Sequence, residues 1–397
     1  MPTINHSFFD QVQDRRNTGS VKYDFSRFDK IHPELVPMWI ADMDFRVAPE
    51  IEEALAAEVQ RGIFGYNDKD DDFDQAVISW YRKRLNWTID PEWLVKSPSV
   101  IFSITASIRA LTEPGDMVLI CQPVYFPFVQ MIERTERRLA VSEMRLVNGK
   151  YEIDFADFER KIVESKVKLF ILCSPHNPVG RVWTREELAE MGRICLKHNV
   201  YIISDEIHAD IVFDGYQHTP FLTVSDAFAE YTVTCISPTK TFNLAGLQAA
   251  NAVIPNAGIR ESVRKTGLAA GYGDLNNMAT VAAKAAYRFG EPWFDMFLTY
   301  MAENITILRE ALSATKGKIS LINPEGTYLM WLDCRNMGLS DDQLERFFLE
   351  KAGIWLHRGT TFGTGGSGFV RMNLAYPQAI LHKVLERLQQ QIATLES

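Results

Sequence analysis

Short apolar runs rich in β-branched residues alternate with amphipathic segments from roughly Asp90 to Pro255. Between two of these runs, Thr184-Arg185-Glu186-Glu187 has the capping-box pattern that begins a helix. Strands that alternate with helices of this length indicate βαβ units and a mainly parallel sheet. The sequence therefore predicts an α/β fold. The runs that we predict to be buried strands are Met117–Cys121, Leu169–Cys173, Val200–Ile203 and Thr232–Ile236.

The pattern changes after Gly317, where strand-like runs such as 327–332 and 369–373 are mixed with helical patterns. A long helical pattern around residues 293–314 precedes the change. This texture indicates a second, smaller α+β unit. We expect an N-terminal segment over 1–45 that packs with the small domain, a large domain over 46–289, and a small C-terminal domain over 290–397.

The composition narrows the class of protein. The chain has 397 residues and a net charge of −9, which argues against binding a nucleic-acid backbone as the main task. No apolar run approaches the ~20 residues of a membrane helix, and the first ten residues lack the pattern of a secretory signal. We therefore expect no membrane association and a cytoplasmic location. The five cysteines and eight histidines show no metal-binding spacing, so no metal site is expected.

Polar motifs follow three of the predicted strands, and they contain Asn177, Asp205 and Lys240. Ligands of a parallel sheet bind beyond the carboxyl ends of its strands, which is where these motifs fall. A lysine there can form a Schiff base with an aldehyde cofactor, and a carboxylate can keep a ring nitrogen protonated. Taken singly, each residue also has an ordinary explanation, as a surface lysine, a turn asparagine or a helix cap.

The motifs together resemble a known family. The segment 237–246 is similar to the lysine motif of fold-type I pyridoxal 5'-phosphate (PLP) enzymes, and the likeness extends from Trp39-Ile40-Ala41-Asp42-Met43-Asp44-Phe45 to Gly368–Asn373. Within the class I and II aminotransferases, the motifs at 39–45, 174–183 and 204–208 resemble the cystathionine β-lyase branch that includes cystalysin and the MalY and PatB proteins. The resemblance implies an aspartate aminotransferase-like fold, in which a large domain with a mainly parallel seven-stranded sheet precedes a smaller α+β C-terminal domain.

The resemblance also implies PLP as the cofactor and a role for individual residues. The catalytic residues would be Lys240 as the cofactor-linked base, Asp205 as partner of the ring nitrogen, and Tyr125 as the ring stacked on the pyridine. The α-carboxylate of the substrate would be bound by Arg371, with Asn177, Trp39 and Ala41 bordering the same pocket. The cofactor-binding set comprises Val100, Ile101, Tyr125, Asn177, Asp205, His208, Ser237, Thr239, Lys240 and Tyr66. Tyr66 would come from the neighbouring subunit, so the expected active form is a homodimer.

Three positions depart from the family pattern. Where relatives begin the phosphate-binding helix with Gly-Val-Val-Pro, this chain has Ser99-Val100-Ile101-Phe102, and serine lacks the conformational freedom of glycine. Many aminotransferases carry an arginine eight residues after the lysine, where Gln248 stands here. Phe126 replaces the second tyrosine that cystalysin-like relatives can have. We expect a phosphate site with less positive charge.

The motifs favour one reaction and leave two alternatives open. Agreement with the lyase branch at several places favours α,β-elimination of cystathionine or another cysteine S-conjugate, which releases a thiol, pyruvate and ammonia. Transamination of an amino acid is the second interpretation, because both reactions begin with removal of the α-proton. A third is a regulatory binding role like that of MalY. For a lyase the expected partner is a small-molecule amino-acid thioether, and for an aminotransferase it is an amino acid.

Overall fold

The computed structural model describes residues 4–24, 34–66 and 71–394. Its centre is a seven-stranded sheet with the spatial order β1-β7-β6-β5-β4-β2-β3, in which β7 is antiparallel to its neighbours and the other pairs are parallel. The mainly parallel seven-stranded sheet is therefore confirmed. The strands, in chain order, are β1 Leu94–Ser97, β2 Met117–Gln122, β3 Arg138–Glu143, β4 Val167–Cys173, β5 Tyr201–Asp205, β6 Thr232–Ile236 and β7 Ala250–Val253.

The central strands are apolar along their whole length because both faces of the sheet are covered. In β4, Leu169 and Ile171 belong to one hydrophobic cluster, whereas Phe170 and Leu172 belong to another on the opposite face. The helices between residues 49 and 289 are Pro49–Arg61, Asp71–Leu85, Val100–Leu111, Pro127–Arg134, Phe155–Glu164, Arg185–Lys197, Pro238–Thr241, Ala257–Ala269 and Asn277–Phe289.

A second, antiparallel sheet lies in the C-terminal part of the chain. Its four strands have the spatial order β8-β9-β11-β10. The short strand Val36–Pro37 pairs in parallel with Ile354–Trp355, so the N-terminal segment contacts this part of the molecule. The domain boundaries at 45/46 and 289/290 stay a prediction. The strands are β8 Ser320–Leu321, β9 Leu329–Asp333, β10 His357–Arg358 and β11 Phe369–Asn373.

The remaining regular elements are short or lie near the second sheet. A two-stranded ribbon, Arg145–Val147 with Lys150–Glu152, projects from the main sheet. The helical pattern over 340–351 is a short α-helix followed by a π-helical turn. No helix in the described part of the chain has the length and apolar character needed to cross a bilayer. Outside residues 49–289, the described α- and π-helices are His6–Phe9, Glu291–Ser313, Asp341–Arg346, Phe347–Lys351 (π) and Gln378–Thr394.

The capping box predicted at Thr184 is present. The Thr184 hydroxyl accepts a hydrogen bond from the Glu187 N–H at 3.2 Å, and the Glu187 carboxylate accepts one from the Thr184 N–H at 2.8 Å. The helix that it begins, Arg185–Lys197, connects β4 to β5, whose carboxyl ends bear the polar motifs. The cap therefore fixes where this crossover starts.

Replacing Thr184 with alanine removes the hydroxyl acceptor and should lower the free energy of unfolding by about 1 kcal/mol. Thr184→Ser keeps the hydroxyl and is the matched control. The measurement is the midpoint of thermal unfolding of both variants and the wild type, at equal protein and cofactor concentrations. Equal midpoints for the alanine and serine variants would contradict a stabilising cap.

Candidate active site

Lys240 is at the carboxyl end of β6, on the short helix Pro238–Thr241. Ser237 caps this helix, because its Oγ accepts a hydrogen bond from the Thr239 N–H at 3.1 Å. The Lys240 Nζ donates to the carbonyl oxygen of Ala41 at 2.5 Å. Burial is the main reason that the pKa of Lys240 falls to about 8. The side chain is thus an amine held out of bulk solvent on a neutral acceptor.

Asp205 ends the neighbouring strand, β5, and is buried. Register pairs it with Cys173 of β4 and Cys235 of β6, so it lies between the two strands that carry the other motifs. Its Oδ1 accepts a hydrogen bond from the Ile207 N–H at 3.2 Å. Burial raises its pKa to about 7, although the nearby charge of Lys240 opposes this shift. A cationic group placed beside this carboxyl group would lower its pKa and stabilise its ionised form.

Asn177 lies in the turn that follows β4, and side chains from both ends hold the turn in place. The Trp183 Nε1 donates to the Cys173 carbonyl oxygen at 2.9 Å, and His176 Nε2 hydrogen-bonds the Pro123 carbonyl oxygen at 2.9 Å. Arg181 is buried with Glu325 at 2.9 Å and Glu187 at 2.8 Å. The aromatic and basic residues of this motif therefore shape the turn that presents Asn177.

Arg371 is in the middle of β11 and is only 3% exposed. Its Nη1 donates to Asn177 Oδ1 at 2.9 Å, and its Nη2 donates to the Trp39 carbonyl oxygen at 2.8 Å. Its Nε has no hydrogen-bond partner. Burial lowers the pKa of Arg371 to about 10. The surface interpretation of this arginine is therefore excluded, and the predicted substrate residues Arg371, Asn177 and Trp39 do come together.

The backbone of the segment Trp39–Phe45 lies against these side chains. Asn373, two residues after Arg371 on the same strand face, donates from Nδ2 to the Ile40 carbonyl oxygen at 2.7 Å and to that of Asp42 at 2.6 Å. Asn243, three residues after Lys240, accepts from the Met43 N–H at 2.9 Å. The segment is therefore held from both sheets, which explains how the Ala41 carbonyl reaches Lys240.

Tyr125 and His208 border the same space. Tyr125 is half-buried, and burial followed by the charge of Asp205 raises its pKa to about 12. His208 is buried with an unpartnered Nδ1, and burial followed by the charges of Lys240 and Arg371 lowers its pKa to about 3. These mutual charge effects place the predicted tyrosine, histidine, lysine, aspartate and arginine around one centre.

The predicted phosphate-binding groups lie at two neighbouring helix starts. Ser99 has φ −166° and ψ 159°, an extended backbone that any residue adopts, so glycine is not needed here. Its Oγ accepts from the Phe102 N–H at 3.1 Å and leaves the N–H groups of Val100 and Ile101 without a side-chain cap. Ser237 and Thr239 hydroxyls bond each other at 2.6 Å. The extended backbone at this position therefore accommodates serine, and the helix start is intact.

Two positions named in the sequence analysis, Tyr66 and Gln248, lie away from this centre within one chain. Tyr66 is fully exposed, next to exposed Ile63 and Phe64. Gln248 is also exposed, with φ +61°. Neither contacts Lys240 or Asp205 in the described structure.

Sequence reasoning missed several residues that touch the site. Tyr328 donates its hydroxyl to the Ala41 carbonyl oxygen at 3.0 Å, beside Lys240. His357 contacts Arg371. The Arg371 guanidinium carbon lies 4.9 Å from the centroid of the Phe362 ring. These residues reach the site through strand pairing and loop packing in the second sheet, so no motif around them in the sequence signals a role. Only Asn243 and Asn373 follow regular spacing from a predicted residue.

Known proteins are similar to this chain in sequence and in architecture. The sequence profile described as "Aminotransferase class I and II" matches residues 36–388. Cystathionine β-lyase PatB of Bacillus subtilis (strain 168) is 42% identical over 385 residues, which are 96% of this chain and 98% of that protein.

Two solved structures are similar over nearly the whole chain. Cystalysin from Treponema denticola, which contains pyridoxal 5'-phosphate, matches this chain with a TM-score of 0.94 at 34% identity. The match covers 98% of this chain and 99% of the cystalysin chain. A PLP-bound protein of Clostridium difficile 630, assigned to the aminotransferases, has a TM-score of 0.93 at 41% identity and covers 97% and 99%. The chain therefore belongs to the class I and II aminotransferase family, whose members depend on PLP.

Proposed function

We propose that this protein is a PLP-dependent carbon–sulfur β-lyase. It cleaves cystathionine or a related cysteine S-conjugate and releases a thiol, pyruvate and ammonia. The observation that carries the proposal is the 42% identity to a cystathionine β-lyase across 96% of the chain. The buried groups at the strand ends supply the acid–base and anion-binding functions that such a reaction requires.

The residues present at the strand ends fit PLP. Asp205 is a buried carboxylate with a raised pKa, and a protonated ring nitrogen beside it would return it to the ionised form. His208 Nδ1 and Arg371 Nε are buried polar atoms without a protein partner. Both atoms are therefore available to hydrogen-bond a bound ligand.

We assign the cofactor contacts residue by residue. Asp205 holds the ring nitrogen, Asn177 the ring hydroxyl and Tyr125 one ring face, with His208 beside them. The phosphate is bound by the N–H groups of Val100 and Ile101 at a helix start, where the dipole favours an anion. The hydroxyls of Ser237 and Thr239 complete that site from the second helix start.

Two basic side chains act on the substrate, the buried guanidinium of Arg371 as a cation and the half-buried amine of Lys240 in its unprotonated form. When bound, PLP supplies an electron sink for the electrons released at the α-carbon. Arg371 binds the α-carboxylate, while Trp39 and the Ala41 backbone border it. Lys240 removes the α-proton, and its pKa of about 8 leaves part of its amine unprotonated near neutral pH. A thiolate on the β-carbon then departs with its bonding electrons.

Transamination is the second candidate, because the similar Clostridium difficile structure is assigned to the aminotransferases. The two reactions share Arg371 and the proton removed by Lys240. They differ in the fate of the amino group, which leaves as ammonia after elimination and is passed to a keto acid in transamination. Several of the similar proteins are named cystathionine β-lyase or C–S lyase, so elimination is the primary proposal.

A homodimer completes the site in this proposal. Tyr66 is fully exposed beside Ile63 and Phe64, which are 74% and 61% exposed. Large apolar side chains exposed together are typical of an interaction surface. We infer that this surface joins two copies and that Tyr66 of each copy reaches the cofactor phosphate of the other. The cytoplasmic location stays a prediction from the sequence.

Incubating the pure protein with cystathionine should produce pyruvate without an added keto acid. Lys240→Ala should lower the rate at least about a thousandfold, because it removes the base. Lys265→Ala changes a surface lysine paired only with Glu261 and is the matched control. Pyruvate is assayed beside the new amino acid formed when a keto acid is supplied. Product only in the presence of the keto acid would favour transamination, and equal pyruvate from Lys240→Ala would refute the lysine assignment.

Asp205→Asn should abolish activity and yet stabilise the cofactor-free chain at pH 8. The folded pKa of about 7 lies above that of the unfolded carboxyl, so folding costs more free energy as the pH rises between these values. The increase in the free energy of unfolding caused by Asp205→Asn should therefore grow from pH 4 to pH 7, to about 4 kcal/mol at most. Thermal midpoints of the cofactor-free proteins measure it. The exposed Asp214→Asn is the control, and a pH-independent difference for Asp205→Asn would contradict the buried carboxylate.

Tyr66→Phe should weaken PLP binding about tenfold without changing the oligomeric state, because it removes one hydrogen bond to a charged phosphate. Dissociation constants are measured by titrating the cofactor-free protein with PLP, and sedimentation gives the mass. Tyr216→Phe, at another exposed tyrosine, is the control. A monomeric wild type, or unchanged affinity for PLP in Tyr66→Phe, would contradict the shared site.

A further inference from the structure

His357 is the cross-strand neighbour of Arg371. Strands β10 and β11 are antiparallel, and their register pairs His357 with Arg371 directly. Side chains opposite each other in such a pair lie on the same face of the sheet and within contact distance. His357 Nδ1 is 3.3 Å from Arg371 Nη2. The pairing of two short strands therefore brings an imidazole against the guanidinium.

The hydrogen bonds of Arg371 determine the role of this imidazole. Arginine is always a donor, so His357 can share the contact only by accepting through an unprotonated Nδ1. Nη2 then uses both hydrogens, one on the Trp39 carbonyl oxygen at 2.8 Å and one on His357. Nη1 uses one hydrogen on Asn177. Three neutral acceptors thus fix the plane of the guanidinium before any carboxylate arrives.

Aromatic packing fixes the histidine in turn. The His357 ring centroid is 5.2 Å from that of Phe126, 5.1 Å from that of Phe362 and 5.9 Å from that of Trp39. Burial, followed by the charge of Arg371, lowers the pKa of His357 to about 3, although the Trp39 backbone opposes the shift. His357 is therefore neutral at neutral pH and packed among three aromatic rings.

We propose that His357 positions the Arg371 guanidinium and thereby sets how tightly the protein holds the α-carboxylate of its substrate. The inference rests on the proposed function of Arg371 as the carboxylate site. A guanidinium that has lost this acceptor has a free Nη2 hydrogen and can rotate about its side chain. It must then be ordered by the carboxylate itself, which costs part of the binding free energy. His357 does not touch the reacting atoms, so its effect is on binding.

Two variants at this position separate the acceptor from the packing. His357→Phe keeps an aromatic ring among Phe126 and Phe362 but removes the acceptor, and KM should rise about tenfold. Its kcat should stay within about twofold of the wild type, because binding is lost equally in the ground and transition states. His357→Asn places an amide oxygen near the position of Nδ1 and should recover most of the affinity. His382→Phe, at an exposed helical histidine, is the control.

Nitrogen NMR of the wild-type imidazole tests the contact without turnover. The His357 resonance, identified by its loss in His357→Asn, should show a protonated Nε2 and an unprotonated Nδ1 at neutral pH. A protonated Nδ1 would overturn the proposal, since it could not accept from Arg371. An unchanged KM in His357→Phe would overturn it as well, as would an equal loss of kcat in both variants.

The test remains distinct from that of the lyase proposal. Every α-amino acid carries the same carboxylate, so KM can be measured in elimination or in transamination. Glycine has no β-substituent, and its affinity can be measured from the change in cofactor absorbance as it is added. If the wild type releases no pyruvate, the lyase proposal fails. A tenfold weaker affinity for glycine in His357→Phe would still support the positioning role, and an unchanged affinity would refute it.

Discussion

The site depends on two basic side chains, half-buried Lys240 and buried Arg371, and neither forms an ion pair with a described carboxylate. Removing a charge from water is costly, and the lowered pKa of each group expresses that cost. Neutral acceptors offset part of it, namely carbonyl oxygens, an amide and an imidazole. The remaining electrostatic demand is for an anion. In the proposed function, the carboxylate of the amino-acid substrate and the phosphorylated cofactor supply such anions, which would link the stability of the site to its ligands.

The acceptors come largely from one backbone segment that is distant in sequence. Consecutive carbonyl oxygens from Trp39 to Asp42 accept from Arg371, Asn373, Lys240 and Tyr328. The segment is anchored in turn by Asp42 and Asp44. Arg15 pairs with Asp42 at 2.6 Å, and buried Lys22 pairs with Asp44. The ion pairs of Arg15 and Lys22 therefore help to hold the backbone of residues 39–44 in position.

The sequence predicted the parts of the site that are local. Lys240 and Asp205 each follow a short apolar run, and parallel strands necessarily bring their carboxyl ends together. Arg371 and Trp39 were identified by resemblance alone, since a strand arginine or a lone tryptophan has no local signal. Their proximity depends on the N-terminal segment crossing to the second sheet. His357 and Tyr328 were missed because strand register and loop packing bring them to the site, and neither can be read from a window of sequence.

The departures from the family pattern illustrate a second limit. Serine lacks the conformational freedom of glycine, yet the backbone of Ser99 is extended, which any residue can adopt, and the hydroxyl caps the helix. Whether a glycine is needed depends on φ, and the identity of a residue does not reveal φ.

The expectation of less positive charge at the phosphate site does not depend on the backbone conformation. Gln248 carries no charge, whatever its φ. The Ser237 hydroxyl also donates to the Ala249 carbonyl oxygen at 2.7 Å and must rotate before it can donate to a phosphate. In the proposed arrangement, one chain therefore offers the phosphate helix N–H groups and few cations. If Tyr66 of a second subunit reaches the phosphate, as proposed, its hydroxyl has a larger share in holding the cofactor, and dimer formation and cofactor affinity are then linked.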